Sequence, residues 1–269
     1  MIDWIRIILS LFAIFLTTLA LAPLQILALY FDWPLRRRLP RLWHRVSCRM
    51  LGLRIHSHGV LDTRRPLMIA ANHASWKDIL VLGALADVVF IAKTEVAAWP
   101  VFGTLAKLQK TIFVVREEKR RTGDQVNEIA ARMSDGEVVV LFPEGTTSDG
   151  NRVLATKSSL FGAAAAALGD DPDAVVHVQP VSIAFTRVQG MPMGRYHRSI
   201  AGWPGDVTML PHLVGVLKAA AIDVDVTFGE AVEYRRGESR KLLAATIESR
   251  LRAMLLVHLR GRYKRTDEA

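Results

Sequence analysis

Residues 138–146 read Val-Val-Val-Leu-Phe-Pro-Glu-Gly-Thr, and this stretch decides the fold class. Its first five residues form a continuous apolar run, which is typical of a strand that helices cover on both faces. The polar, glycine-rich residues 143–150 predict a loop directly after that strand. Because strands of this kind belong to parallel sheets, the stretch indicates an α/β fold.

Apolar runs on either side repeat the alternation of strand and helix. Strands are predicted at residues 53–59, 67–71, 88–92, 112–115, 175–183 and 223–228. Helices are predicted at residues 79–86, 117–135, 157–168 and 238–262. We expect the last strand to lie near a sheet edge, and we expect a long loop over residues 186–211. The sequence thus predicts an α/β domain with a mostly parallel sheet flanked by helices.

An uncharged segment of 25 residues, from Ile7 to Phe31, stands near the amino terminus. As a helix it would reach roughly 37 Å, enough to cross a bilayer core of about 30 Å. Pro23 leaves a kinked or partly embedded helix as the alternative. A cleaved signal peptide fits less well, because the apolar run is long and a basic stretch follows at once. We therefore divide the chain into a membrane-anchoring segment, residues 1–50, and a domain over residues 51–269.

The basic stretch that follows is patterned as an amphipathic helix over residues 35–50. Its arginines are Arg36, Arg37, Arg38, Arg41, Arg45 and Arg49. Together with a formal net charge of +9 and 51% hydrophobic residues, this pattern favours an anionic membrane surface over nucleic acid. The positive-inside rule then predicts a domain on the cytoplasmic face, in bacteria that of the inner membrane.

Residues 72–78, Asn-His-Ala-Ser-Trp-Lys-Asp, follow another predicted strand. Asp78 can hold one ring nitrogen of His73 and leave the other free to take a proton. The alternative is a helix cap with Ser75 at the N-cap position, which gives His73 no role. His73, Arg116 and Glu144 each follow a strand, and the carboxyl ends of parallel strands share one sheet edge, so we expect them around one pocket.

Metal and redox chemistry receive little support from the sequence. Cys48 is the single cysteine, which leaves no disulfide framework and no thiolate zinc cluster. His56 and His58 share a strand face, but no third ligand stands nearby in the sequence, so we expect hydrogen-bonded histidines. The chain also lacks the Gly-x-Ser-x-Gly elbow of hydrolases and a glycine-rich phosphate loop.

With these stretches in view, the chain resembles the glycerolipid acyltransferases, and among them the lysophosphatidic acid acyltransferase family, from about residue 50 to residue 230. The residues that carry the resemblance are His73 with Asp78, the Phe-Pro-Glu-Gly-Thr segment 142–146, the arginine after residues 113–115, Lys93, Pro100, Gly103 and the proline at 180. Relatives commonly have an arginine where this chain has Thr147.

The resemblance implies roles for individual residues. His73 would be the general base and Asp78 would fix its tautomer. Arg116 would clamp an acceptor phosphate, while Glu144 would orient glycerol hydroxyls or an arginine. Gly145 and Thr146 complete the expected substrate-binding set. Further candidates are Asn72, Ser75, Lys93, Arg152, which could replace the arginine missing at 147, and Pro180.

The resemblance also implies the reaction: transfer of a fatty acyl group from acyl-CoA or acyl carrier protein, with no bound cofactor or metal. The expected acceptor is 1-acyl-glycerol-3-phosphate, which gives phosphatidic acid. Residues 194–198 and 201–206 resemble loops of bacterial enzymes that acylate lyso-ornithine lipid, which is the alternative acceptor. A third hypothesis is a membrane-associated lipid-binding protein without activity.

Overall fold

A computed structural model describes residues 2–115, 122–204 and 207–261 of the 269-residue chain. Among these residues one nine-stranded sheet forms the centre of the molecule. The strands are β1 (Leu53–His58), β2 (Leu67–Ala71), β3 (Val89–Lys93), β4 (Ile112–Val114), β5 (Val139–Leu141), β6 (Val175–Val188), β7 (Met191–Pro192), β8 (Ile222–Phe228) and β9 (Val232–Arg235).

The main path of the sheet runs β1-β8-β6-β2-β5-β3-β4. Every neighbouring pair along it is parallel except β6 with β8, and the short β7 and β9 pair antiparallel with β6. The α/β fold with a mostly parallel sheet is therefore confirmed.

Helices cover both faces of the sheet. They are α1 (Ile2–Tyr30), α2 (Leu35–Met50), α3 (Lys77–Leu85), α4 (Phe102–Leu108), α5 (Thr122–Ser134), α6 (Gly162–Ala166), α7 (Met209–Ala219) and α8 (Arg240–Leu259). Strand β2 is buried at every position, with Leu67 and Ile69 in the core on one side and Met68 and Ala70 in the core on the other. Helices α3 and α7 pack on the first core, and α5 and α8 on the second. A strand buried on both faces must be apolar throughout, which explains the continuous runs in the sequence.

Strand β8 is second from one end of the sheet, between the edge strand β1 and β6, and thus lies near an edge as expected. Its alternating polar residues, Asp223 and Asp225, are buried and accept hydrogen bonds from His56 at 2.8 Å and His58 at 2.9 Å. Residues 186–211, expected as a loop, contain the end of β6, all of β7, a 3-10 turn and the first residues of α7.

Helix α1 runs unbroken from Ile2 to Tyr30, with Pro23 in its interior. Residues Trp4–Tyr30 are apolar enough to cross a membrane by length and composition, with a mean hydropathy of 2.4. The helix nevertheless contacts the domain at both ends: Arg6 donates to the Leu217 carbonyl, and Gln25 donates to the Leu108 carbonyl at 2.7 Å. The domain therefore contacts α1 near both of its ends.

Helix α2 packs closely against α3. A Cβ at Gly83 would lie 2.4 Å from the His44 ring, so only glycine permits this approach. Arg41 and Arg45 donate to the Leu85 and Ala84 carbonyls at 2.5 and 3.0 Å, at the carboxyl end of α3. Cations at a helix carboxyl terminus donate to its unpaired carbonyls and interact favourably with the helix dipole. These two arginines, expected on the lipid-facing side, therefore have a structural contact within the protein.

Candidate active site

The dyad loop, residues 72–78, connects β2 to α3 and brings His73 and Asp78 together. The Nδ1 atom of His73 lies 2.9 Å from Oδ2 of Asp78. The same oxygen accepts the backbone N–H groups of Ala74 at 2.7 Å and Ser75 at 2.8 Å. Because a carboxylate only accepts hydrogen bonds, Nδ1 carries the proton and Nε2 keeps its lone pair. The arrangement can take a proton from a hydroxyl group.

The His73 ring is held from the other side by Phe142. The two rings stack with centroids 4.0 Å apart. Asp78 is fully buried, whereas His73 keeps 18% of its side-chain surface exposed. The base is therefore reachable from outside while the carboxylate that orients it is shielded from water.

Glu144 joins the dyad loop to the loop after β5. Its two carboxylate oxygens accept the backbone N–H groups of His73 and Leu154, each at 2.8 Å. The side chain is 2% exposed. Burial raises the pKa of Glu144 to about 7, although the two N–H donors oppose this shift. Its contacts fix the position of His73, whereas the sequence led us to expect contacts with substrate hydroxyls or an arginine.

Lys77 is fully buried beside the dyad, which the sequence did not lead us to expect. Its ammonium donates to Ser75 Oγ at 2.9 Å and to the Ala201 carbonyl at 2.6 Å. Burial lowers the pKa of Lys77 to about 7, against the opposing influence of the Asp78 carboxylate. Lys77 thereby ties the dyad loop to residues 193–204, which we call the outer loop.

The prediction that Ser75 is the N-cap of the following helix was wrong. Helix α3 begins at Lys77, its N-cap position is Trp76, and no side chain caps it there. Ser75 Oγ instead accepts from the Lys77 ammonium, and the serine is fully buried. A buried serine engaged in this way cannot reach a thioester, which argues against an acyl-enzyme at Ser75.

Three other predicted residues lie around the same sheet edge. Asn72 is buried and exchanges two hydrogen bonds with the Ile183 backbone, at 2.9 and 2.7 Å, which locks β2 to β6. Gly145 has φ +72°, and a Cβ there would lie 3.1 Å from Lys157 Nζ. Thr146 is exposed next to it. The Lys157 ammonium, which sequence reasoning missed, is thus placed against the Phe-Pro-Glu-Gly-Thr segment.

The remaining predicted residues make their contacts away from the dyad. Pro180 is buried inside β6, opposite Ala70 of β2. Lys93 is exposed at the end of β3, and Arg152 is exposed near the Asp149 carboxylate. Arg116, expected to clamp a phosphate, lies outside the described residues, so its role stays a prediction.

The outer loop packs over the dyad loop, which the sequence did not indicate. The backbone N–H of Trp203 donates to the Ala74 carbonyl at 2.7 Å. Arg198 is buried and donates to the Met193 carbonyl at 2.7 Å and to the Asn151 side chain. The contact between Trp203 and Ala74 joins positions 129 residues apart, so it leaves no local signal in the chain.

His58 meets two partners that are remote in sequence, Asp225 and His258. His58 Nε2 lies 2.9 Å from Asp225 Oδ1, as hydrogen-bonded histidines were expected to do. The His58 and His258 rings stack with centroids 5.0 Å apart and an interplanar angle of 28°. The structure thus supplies further ligands that the sequence did not show: one ligand atom from each of His58, Asp225 and His258 lies within 4.8 Å of the others, so the group could hold a metal ion. The cluster links β1 and β8 to α8.

Comparisons with known proteins agree with this geometry. The model of the acyltransferase family matches residues 52–184. A lyso-ornithine lipid O-acyltransferase from Rhizobium meliloti is 59% identical over 97% of this chain and 90% of its own length. A 1-acyl-sn-glycerol-3-phosphate acyltransferase from Neisseria gonorrhoeae is 30% identical over 74% of this chain and 71% of its own.

Among solved structures, the 1-acyl-sn-glycerophosphate acyltransferase PlsC from Thermotoga maritima shares the fold, with a TM-score of 0.64. It is 21% identical, and the match covers 98% of this chain and all of that one. The fold, the paired His73 and Asp78, and the similarity to two kinds of lysolipid acyltransferase lead to one conclusion. The chain belongs to the glycerolipid acyltransferase family and is an acyltransferase that acts on lysolipids.

Proposed function

We propose that this lysolipid acyltransferase uses a lyso-ornithine lipid as its acceptor. The observation that carries the proposal is the 59% identity to the Rhizobium lyso-ornithine lipid O-acyltransferase, against 30% to the Neisseria enzyme named for a phosphate-bearing acceptor. Thr147 supports the same choice, because it replaces an arginine that could hold a phosphate. Lysophosphatidic acid, the acceptor first expected from the sequence, becomes the alternative.

In the proposed reaction, His73 Nε2 takes the proton of the lipid hydroxyl while the hydroxyl oxygen attacks the thioester carbonyl carbon. The carbon–oxygen bond of the new ester forms, the carbon–sulfur bond breaks, and the imidazolium returns its proton to the leaving thiolate. Asp78 stabilises the imidazolium through the 2.9 Å contact with Nδ1. The donor is acyl-CoA or acyl carrier protein, and no metal or bound cofactor takes part in this scheme.

The tetrahedral intermediate requires a donor for its oxyanion. The backbone N–H groups close to His73 already have acceptors: those of Ala74 and Ser75 donate to Asp78, and that of Gly145 donates to the Phe142 carbonyl at 3.1 Å. The Lys157 ammonium lies beside this segment, because a Cβ at Gly145 would be 3.1 Å from Lys157 Nζ. We assign the oxyanion contact to Lys157 within the same proposal.

Residues 1–50 would hold the domain of residues 51–269 at an anionic membrane, on the cytoplasmic face of the bacterial inner membrane. Large apolar side chains are exposed along α1, among them Phe12, Phe15 and Leu19. Arg6 and Gln25, which both contact the domain, are 19 positions apart, or about 28 Å along a helix. Because the domain binds α1 at both of these points, we favour embedding in one leaflet over crossing the bilayer.

The proposal is tested with the purified full-length chain in detergent micelles or liposomes. An acyl carrier protein or coenzyme A thioester is supplied with either lyso-ornithine lipid or lysophosphatidic acid, and kcat/KM is measured for each pair. We expect a higher kcat/KM with lyso-ornithine lipid, and loss of turnover in a His73→Ala control. Preference for lysophosphatidic acid would reverse the assignment of the acceptor. Lipid binding without turnover of either acceptor would favour the non-catalytic hypothesis.

A further inference from the structure

An open cleft of about 700 Å³ lies between the segment after β5 and the outer loop. Its volume falls in the range of small-molecule sites. The residues that line it are Asp149, Asn151, Arg195, Tyr196, His197, Ser199 and Ile200. We call it the acceptor cleft. It contains none of the residues that the sequence predicted as substrate-binding.

Both walls of the acceptor cleft are fixed to the backbone next to the catalytic base. Ser148 donates its N–H to the His73 carbonyl at 2.8 Å, directly before Asp149. Trp203 donates its N–H to the Ala74 carbonyl at 2.7 Å, and a Cβ at Gly202 would lie 2.8 Å from the Asp149 carbonyl. The cleft therefore adjoins the loop that carries His73, although the His73 side chain is not among the residues that line it.

The acceptor cleft carries both signs of charge. The Asp149 carboxylate accepts the backbone N–H and the side-chain amide of Asn151, at 3.0 and 2.9 Å, which fixes its orientation. The same Asn151 amide donates to the Arg195 carbonyl at 3.2 Å. The Asn151 side chain therefore connects the Asp149 carboxylate to the backbone of Arg195. Both charged side chains line open space, and each carboxylate oxygen retains a lone pair for a further donor.

We propose that the acceptor cleft binds the zwitterionic headgroup of the lipid acceptor, with Asp149 holding the ornithine ammonium and Arg195 the carboxylate. This inference rests on the proposed function and deepens it, because it names the residues that select the acceptor. A guanidinium matches a carboxylate in a bidentate contact, and a carboxylate pairs with an ammonium. A phosphate monoester would bring two negative charges beside Asp149, which disfavours lysophosphatidic acid in this cleft.

The cleft is preformed, because hydrogen bonds within the protein hold its walls in place. Arg198 is 6% exposed and joins its two walls through Met193 and Asn151. Lys77 fixes the outer loop from below through the Ala201 carbonyl. A preformed site loses less conformational entropy on binding, so two charge-assisted contacts can contribute most of their strength to selectivity.

The experiment compares Asp149→Asn and Arg195→Gln with matched surface controls, Asp171→Asn and Arg54→Gln, which replace exposed residues outside the cleft. Each full-length variant is assayed with lyso-ornithine lipid, with the same lipid acetylated on its ammonium nitrogen, and with its carboxyl methyl ester. We expect Asp149→Asn to raise KM for the unmodified lipid by roughly 10-fold or more, with kcat little changed. Arg195→Gln should have a similar effect.

Assays of wild type and variants with the modified acceptors test which headgroup charge each residue binds. Acetylation of the lipid should raise KM for wild type, and wild type and Asp149→Asn should then have the same KM. Methylation of the carboxylate should likewise raise KM for wild type and remove the difference in KM between wild type and Arg195→Gln. A variant KM within twofold of wild type, or a loss that persists on the matching modified lipid, would overturn the acceptor cleft and leave the reaction intact. If wild type does not acylate lyso-ornithine lipid at all, both the function and the cleft assignment fail.

Discussion

The outer loop packs on the dyad loop, which carries the catalytic base, and the side chains of the two loops are used in opposite ways. In the dyad loop, Ser75, Lys77 and Asp78 are fully buried and bond to other protein groups. In the outer loop, Tyr196 is 87% exposed and Arg195 lines open space. The comparison shows a rigid, water-shielded reaction centre next to an open surface that can vary in charge. If the acceptor cleft selects the lipid as we propose, acceptor choice can change without a change in the reaction centre.

The largest effect should come from the dyad itself. Asp78→Asn can keep one oxygen toward His73 and place its amide where Oδ1 now lies, an atom without a hydrogen-bond partner within residues 2–115, 122–204 and 207–261. The fold should therefore survive while the charge that stabilises the imidazolium is lost. We expect kcat to fall about 10²- to 10⁴-fold, as for His73→Ala. Turnover assays with thermal unfolding as the control measure this, and a loss below 10-fold would contradict the assigned role.

The next largest effect tests whether the buried Glu144 acts only by holding the backbone of His73 in place. In Glu144→Gln one of the two acceptor oxygens becomes an amide donor that faces the N–H of His73 or Leu154. A buried donor left unpaired costs about 1–3 kcal/mol. We expect kcat to fall roughly 10- to 100-fold with KM for the acceptor little changed. Glu128→Gln, on the exposed side of α5, is the matched control; a rise in KM alone would instead indicate substrate contact.

Lys77 gives a pH-dependent prediction about the contact between the two loops. Its pKa is lowered from 10.5 to about 7 in the folded state, so between these values the unfolded chain binds one more proton. Folding stability then rises with pH across this window, by up to about 1.4 kcal/mol per pH unit. Lys77→Met removes the titrating group, so its melting temperature relative to wild type should decrease from pH 7 to pH 9.

The control for this series is Lys241→Met, an exposed lysine in the first turn of α8. Its melting temperature relative to wild type should not change over the same pH range. A flat difference for Lys77→Met as well would mean that the buried ammonium does not titrate in this window.

The smallest effect concerns the turn that positions Lys157. Gly145 and Gly136 have similar backbone conformations, with φ +72° and +81°, but a Cβ meets Lys157 Nζ only at Gly145. Alanine at either position should lower stability by about 1–2 kcal/mol, because non-glycine residues are strained there. We expect only Gly145→Ala to reduce kcat as well, by a few-fold. Equal kcat values for the two variants would remove Lys157 from the reaction.

Sequence reasoning succeeded where the relevant pattern is local. The valine-rich strand before Pro143 and the five-residue spacing of His73 and Asp78 are properties of short segments, and both lead to the observed fold and pair. It failed where a polar side chain is buried by distant contacts. The alternating Asp223 and Asp225 of β8 gave no sign that both are buried, where His56 and His58 of β1 pair with them.

The sequence by itself determined the α/β class, the parallel character of the sheet, the apolar anchor and the identity of the His73–Asp78 pair, because periodicity and motif spacing lie within single segments. Only the tertiary structure decided that Glu144 holds the backbone of His73, that Lys77 is buried, and that the outer loop forms a charged cleft beside the dyad loop. These features depend on hydrogen bonds between residues 10 to 130 positions apart. Such contacts exist only after the strands have assembled, so the segments that make them carry no sign of them.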